Sequence, residues 1–168
     1  ASDLAGHVPW AEQRSAEDMG SYVRESWHLW VEPDVPLPFY LLLPKSARGR
    51  SPLVLTPHGH NHPRIYVGLA ATEEERRSTV EGERDVACQA VAEGYITIAP
   101  TTRGFGETRT EEDIKSNALS SCRTRLLQGL LVGRTPIGER VWDVSRLIDW
   151  ALARDDVDPR LGLQQRQF

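Results

Sequence analysis

Three histidines recur at alternate positions in Pro57-His58-Gly59-His60-Asn61-His62-Pro63. In an extended segment this spacing puts all three imidazoles on one face, where they could hold a zinc ion. No further ligand set accompanies them, and Gly59 and Pro63 favour a turn. The plainer reading is that His58-Gly59 closes a buried strand. A second group lies in Arg103-Gly104-Phe105-Gly106-Glu107-Thr108, a loop with two glycines. Arg103 reads as a support that bonds nearby carbonyls, and Asp143 as its partner or as a loop cap. Cys88 falls in an apolar helical pattern and Cys122 beside Ser120 and Ser121, so both read as idle thiols rather than a disulfide framework. No Gly-x-Ser-x-Gly occurs in the chain, so the strained turn that presents a nucleophilic serine is missing from it.

Such residues need a scaffold. Residues 1–20 are polar and weakly periodic and read as an N-terminal arm or short helix. From Tyr22 to Val31 polar and apolar residues alternate as in a strand, and Pro33, Pro36 and Pro38 mark a turn. Phe39 to Leu43 is a second strand, with Lys45 to Arg50 as a hairpin loop, which makes an antiparallel lead-in pair. Leu53-Val54-Leu55-Thr56 and Tyr95 to Ala99 are short apolar runs of the kind buried in a parallel sheet. Helical spacing covers Glu83 to Glu93, with Gly94 as its stop, then about Glu111 to Leu131. A stronger helix runs from Ile137 to Ala153, with Val141, Trp142, Ser145, Leu147, Ile148 and Ala151 near one face. After a turn at Asp155 to Pro159, Arg160 to Leu163 begins like another strand. Strands alternating with helices predict an α/β fold with a mostly parallel sheet behind the antiparallel pair.

At 168 residues, 39% hydrophobic and 26% charged, the chain has the length and composition of one globular domain rather than a disordered segment. A net charge of −4 excludes the basic footprint of a nucleic-acid binder or a protein held on anionic membranes. No apolar run approaches the roughly 20 residues that span a bilayer. Ala1 to Trp10 has neither a basic flank nor an apolar core, so no signal peptide is visible, and the reading leans cytoplasmic with the compartment open.

Three stretches together resemble the α/β-hydrolase superfamily, most closely its acetyl-xylan-esterase and dienelactone-hydrolase-like members. Pro52 to His60 is similar to the strand that ends in His-Gly and supplies half of an oxyanion hole. Gly94 to Pro100 followed by Arg103 to Glu107 resembles the next strand and its Arg-Gly-x-Gly loop. Gly133 to Gly138, Val141-Trp142-Asp143 and Val157-Asp158-Pro159 are similar to the helix and turn that lead into the nucleophile strand. The similarity covers most of Phe39 to Gly162, and the order and spacing of the stretches make it specific.

The resemblance implies a partial α/β-hydrolase fold, with residues 21–168 forming the N-terminal half of the domain. It also implies acyl transfer, in which backbone N–H donors stabilise the carbonyl oxygen's developing charge, often by about 3–4 kcal/mol each. On that pattern the His60 amide is the candidate donor, with Asn61 next, and His58, Gly59, Arg103 and Asp143 are supports. The nucleophile elbow is expected within a few residues of Gly162, with the acid and the catalytic histidine beyond Phe168, so no triad residue is assigned. One back-translation of Leu163 to Phe168, shifted by one base, reads Gly-Cys-Ser-Ser-Gly-Asn, which makes a frameshift near Gly162 an expectation about the coding DNA.

The expected function is therefore a serine-esterase-type hydrolase of small acyl or carbohydrate esters, incomplete and inactive alone, with no cofactor. Its expected partners are a small ester substrate once completed, and either a second copy or a complementing C-terminal segment. The competing readings are a zinc metallohydrolase built on His58, His60 and His62, and a non-catalytic assembly module.

Overall fold

Alternation along β2 (Tyr22–Glu32) assigns its two faces. Trp27, Leu29 and Val31 enter one core cluster, while Arg24 turns to the other side and donates to the Val67 carbonyl at 2.9 Å. The computed structural model describes residues 6–60 and 62–159. Around β2 it builds one sheet with β1 (Trp10–Asp18), β3 (Val35–Pro44), β4 (Leu53–Leu55) and β5 (Ile96–Pro100), in the order β1-β2-β3-β5-β4. The helices are α1 (Pro63–Tyr66), α2 (Glu73–Glu81), α3 (Val86–Ala92), α4 (Glu111–Lys115), α5 (Cys122–Leu131) and α6 (Pro136–Leu152).

The long helix α6 starts where Thr135 caps it, its hydroxyl accepting from the Gly138 N–H, with Pro136 just inside. Its buried stripe, Leu147 and Ala151, packs on Leu29, Phe39, Leu41, Ile96 and Ile98. Full burial of a side chain such as Leu147 contributes roughly 1.5–3 kcal/mol. Trp150 meets Phe39 edge-on at 5.0 Å between centroids, and Trp142 Nε1 donates to the Val31 carbonyl at 3.0 Å. On the opposite face Val67, Ala87 and Val91 of the α1–α3 layer close over Leu42 and Ala99. The sheet is thus sandwiched between helices, an α/β architecture.

Several expectations change. Three of the four strand pairings are antiparallel, and only β4 with β5 is parallel. The sheet is therefore mostly antiparallel rather than mostly parallel, because β1, β2 and β3 form a meander and β5 pairs with β3 in the opposite direction. Residues 10–18 of the expected arm form strand β1, paired along β2 from Trp10↔Trp30 to Asp18↔Val23. Lys45 to Arg50 do not close a hairpin, since β5 lies between β3 and β4. Helical material after Glu111 is broken by residues 116–121, where Asn117 takes a positive φ of 55°. Val141 is exposed rather than buried with Trp142. The strand expected at Arg160 to Leu163 lies outside the described residues. Just before it, the chain meets the start of β4: Ser51 N–H donates to the Asp156 carbonyl and Asp158 N–H to the Ser51 carbonyl, both at 2.8 Å.

Candidate functional site

Parallel neighbours end side by side. The register Leu53↔Ile96 to Leu55↔Ile98 brings the carboxyl ends of β4 and β5 together, the position where open α/β sheets bind their ligands. Residues 56–60 and 62 leave one strand, and residues 101–109 leave the other. Pro57 follows the last ladder bond beyond β4, from Thr56 N–H to the Ile98 carbonyl at 2.9 Å, as expected of a residue with no N–H to donate.

His58 locks the two exits together. Its Nε2 accepts from the backbone N–H of Thr102 at 3.1 Å, and the Thr102 hydroxyl lies 3.2 Å away. An accepting Nε2 leaves the proton on Nδ1, which donates to the Gly59 carbonyl at 2.8 Å. Burial pushes the His58 imidazole below its ordinary value, so the neutral ring is the resident form. Both nitrogens are engaged, and neither is available to a metal.

His62 makes a different pair of contacts. Its Nδ1 caps α1 by accepting from Arg64 N–H at 3.1 Å, and its Nε2 donates to Glu107 at 3.1 Å. Burial works against ionisation of Glu107, yet the His62 hydrogen bond holds its carboxyl below the usual range. The ring lies directly on Gly106: a Cβ there would sit 2.5 Å from His62 Nε2, and φ is +50°. Only glycine meets both conditions. His60 is exposed, and its ring stands edge-on to Phe105 at 5.4 Å. Its backbone N–H takes no acceptor among the described residues. Asn61, the second oxyanion candidate, lies outside the described residues.

The three histidines expected as an alternative zinc set are not brought together. His58 faces Thr102, His60 faces Phe105 and solvent, and His62 caps α1. Among the described residues no group of three His, Cys, Asp or Glu side chains is placed to hold a metal ion.

Beneath the loops lies a buried ion cluster. Arg103, 3% exposed, grips Asp143 of α6 with Nε at 2.7 Å and Nη2 at 2.6 Å, and Nη2 also reaches Glu32 at the end of β2. Glu32 in turn accepts from Arg134 at 2.8 Å, and Glu139 approaches Arg103 at 3.5 Å and Arg125 at 3.3 Å. Burial disfavours the charge on Arg103, but Asp143 and Glu32 raise its pKa further. Burial likewise opposes ionisation of Glu32, and Arg134 and Arg103 overcome it. Burial pushes the Asp143 carboxyl up while Arg103 pulls it back. The fixed cluster aims the loop beyond Arg103. Arg140 donates twice to the Arg103 carbonyl, at 3.1 and 2.9 Å, and its guanidinium covers the Phe105 ring at 5.1 Å. Phe105 then meets His58 edge-on at 5.2 Å and His60 at 5.4 Å.

Of the residues singled out in the sequence, His58, Gly59, His60 and Arg103 gather at this end of the sheet, and Asp143 anchors it from α6. Thr102, Phe105, Glu107, Arg140 and Glu32 complete it without having been named as site residues. Phe105 and Glu107 stood inside the quoted Arg103 to Thr108 loop, and that was the available signal. Glu32 and Arg140 carry no local pattern.

The sequence matches the Abhydrolase family over residues 12–155. A search of curated proteins finds no match. Solved structures share the fold. A Bacteroides fragilis protein assigned as an acetyl xylan esterase aligns with a TM-score of 0.76 at 18% identity, over 90% of this chain and 40% of its own. Glucuronoyl esterase from Solibacter usitatus aligns at 0.58 and 19% identity, over 93% of this chain and 45% of its own. Acetyl xylan esterase 1 from Thermoanaerobacterium sp. JW/SL YS485 aligns at 0.56 and 13% identity, over 94% of this chain and 44% of its own. The chain thus spans less than half the length of each of these structures. A family match over most of its length, on a sheet that superposes with hydrolase structures, establishes that the chain belongs to the Abhydrolase family.

Proposed function

We propose that this chain supplies the oxyanion-binding part of a serine-type carboxylic-ester hydrolase acting on small acyl or carbohydrate esters, in the manner of an acetyl xylan esterase. The observation that carries the reading is the His58–Thr102 lock. It holds the turn after β4 against the turn after β5 and leaves the exposed His60, at the carboxyl ends of the parallel pair, with an amide that takes no acceptor among the described residues. Such an amide, fixed before substrate arrives, stabilises an oxyanion without reorganising at the moment of reaction. The Asn61 amide is the second donor in this reading. The similarity to esterase structures supports the choice of ester chemistry over other hydrolyses.

The nucleophile, acid and base come from further polypeptide in this reading, either a complementing C-terminal segment or an extension of this chain. The parallel bridge from Ser51 to Val157 supports it, since it brings Val157 alongside the residues that lead into β4. The test is to sequence the coding DNA through and beyond the Phe168 codon and to express the longest product. A Gly-x-Ser-x-Gly elbow in one frame, with fluorophosphonate labelling of the long product and none of the 168-residue chain, is the expected result. Rapid labelling of the 168-residue chain, or no elbow in any frame, would overturn it.

A further inference from the structure

We infer that α2, with the residues on either side of it, is a lid at the mouth of the candidate site. It swings on Gly68 and Glu83 as one piece while the sheet stays folded. Its control of that site rests on the ester-hydrolase reading above.

The place of the lid follows from strand direction. β4 and β5 are parallel, so α3 must run back from the carboxyl end of one to the amino end of the other. Residues 56–85 therefore begin and end at the carboxyl ends of the pair, where His58 and His62 stand. A connection from strand to helix usually takes about 2–6 residues, and one far longer is commonly a lid or a binding loop. Here α1 and α2 fill it, and His62 caps α1.

Helix α2 is a self-sufficient piece. Thr72 caps it by accepting from the Glu75 N–H at 3.1 Å, and Glu73 with Arg76 and Arg77 with Glu81 pair within it. Its seat on the rest of the protein is thin. Thr79, 4% exposed, is its one buried residue, and the Thr79 hydroxyl has no hydrogen-bond partner among the described residues. A cavity of about 30 Å³ lies there, lined by Ile65, Gly68, Ala70, Thr79 and Val80 among others. A void beside an unmet buried hydroxyl forfeits both dispersion and hydrogen bonding, so little is lost when the helix lifts.

A single clasp holds it down. From residues 70 to 82, one hydrogen bond reaches the rest of the described chain, in which Glu75 accepts from Arg64 Nη2 at 2.7 Å. Other bonds stand at the two hinges. Leu69 N–H donates to the Arg64 carbonyl at 2.7 Å, and Gln89 Nε2 to the Glu83 carbonyl at 3.2 Å. Gly68 has a φ of 74°, and Glu83 holds 51° without being glycine, a strain that lifting the segment releases.

The test places a thiol on the seat. In the folded 168-residue chain carrying Thr79→Cys, iodoacetamide should label that position, located by mass spectrometry, at least about a hundredfold faster than the β5 amides exchange with deuterium. Amide exchange of residues 70–82 in the wild-type chain should give the same ratio without any substitution. Adding Arg64→Ala should speed both readouts about two- to fivefold and leave β5 and α6 protection unchanged. Labelling no faster than β5 exchange, or no response to Arg64→Ala, overturns the lid. Control of the site is read on the long product, where Arg64→Ala should raise labelling by a bulky fluorophosphonate more than by a small one. Equal increases remove that control. If neither probe labels while the thiol does, the esterase reading fails and the lid stands.

Discussion

His58 and Gly106 carry their roles in single atoms. His58 is neutral with its proton on Nδ1, and its folded pKa lies below the ordinary value of 6.5 because burial disfavours the cation. A depressed histidine pKa stabilises the fold above the unfolded value, and that contribution is lost as pH falls below 6.5 and through the folded pKa. The urea midpoint should therefore decline on acidification below about pH 6.5, ahead of the carboxylates, and His58→Gln should flatten that part of the curve. Nitrogen-15 NMR of the His58 ring should show the Nδ1–H tautomer at neutral pH; an Nε2–H signal would contradict the lock. Gly106 is constrained twice, by its positive φ and by the His62 ring against it. Gly106→Ala should cost about 1–3 kcal/mol in denaturant unfolding and release the His62–Glu107 contact, which a rise in the Glu107 carboxyl pKa would report.

At the level of elements, the Arg103 cluster joins the end of β2, the loop after β5 and the first turns of α6. Removing Arg103 would strand Asp143, 2% exposed, and leave Glu32, 7% exposed, with Arg134 alone. Arg103→Met should destabilise by about 3–5 kcal/mol, and Arg103→Lys should recover little because lysine cannot bind Asp143 through two parallel bonds and reach Glu32 as well. A midpoint unchanged in Arg103→Met would show that the cluster is dispensable. The helix α6 that anchors this cluster was legible from its spacing. That Glu32, 71 residues from Arg103, would share its guanidinium was not, because no periodicity links residues brought together only by the turn between β2 and β3.

On the scale of the whole molecule, two surfaces stand without cover among the described residues. Strand β4 is an edge with Val54 and Leu55 half-buried, and α5 buries none of its residues while Leu126, Leu127, Leu130 and Leu131 are exposed. An open edge and an apolar helix face both favour association. Light scattering of the 168-residue chain should find dimers or larger species, and Leu127→Glu with Leu130→Glu should shift them toward monomer. A monodisperse, cooperatively unfolding wild-type monomer would count against a partner for these surfaces. Among the described residues no helix is long and apolar enough to cross a membrane.

The sequence by itself determined the short apolar strands at Leu53 and Ile96, the helix from about Ile137 to Ala153, the glycine stop at Gly94 and the two loops worth watching. These are local matters: a period, a cap, a glycine with φ near 90°. Likeness in the order of three short stretches also sufficed for the family. Only the tertiary structure decided that the sheet is mostly antiparallel, that polar residues 10–18 are a strand, and that three alternating histidines do three different jobs. Strand direction depends on which neighbour completes the hydrogen-bond ladder, and an imidazole's task depends on which backbone groups face it. Both are settled by residues distant in the chain, which leave no mark on the spacing nearby.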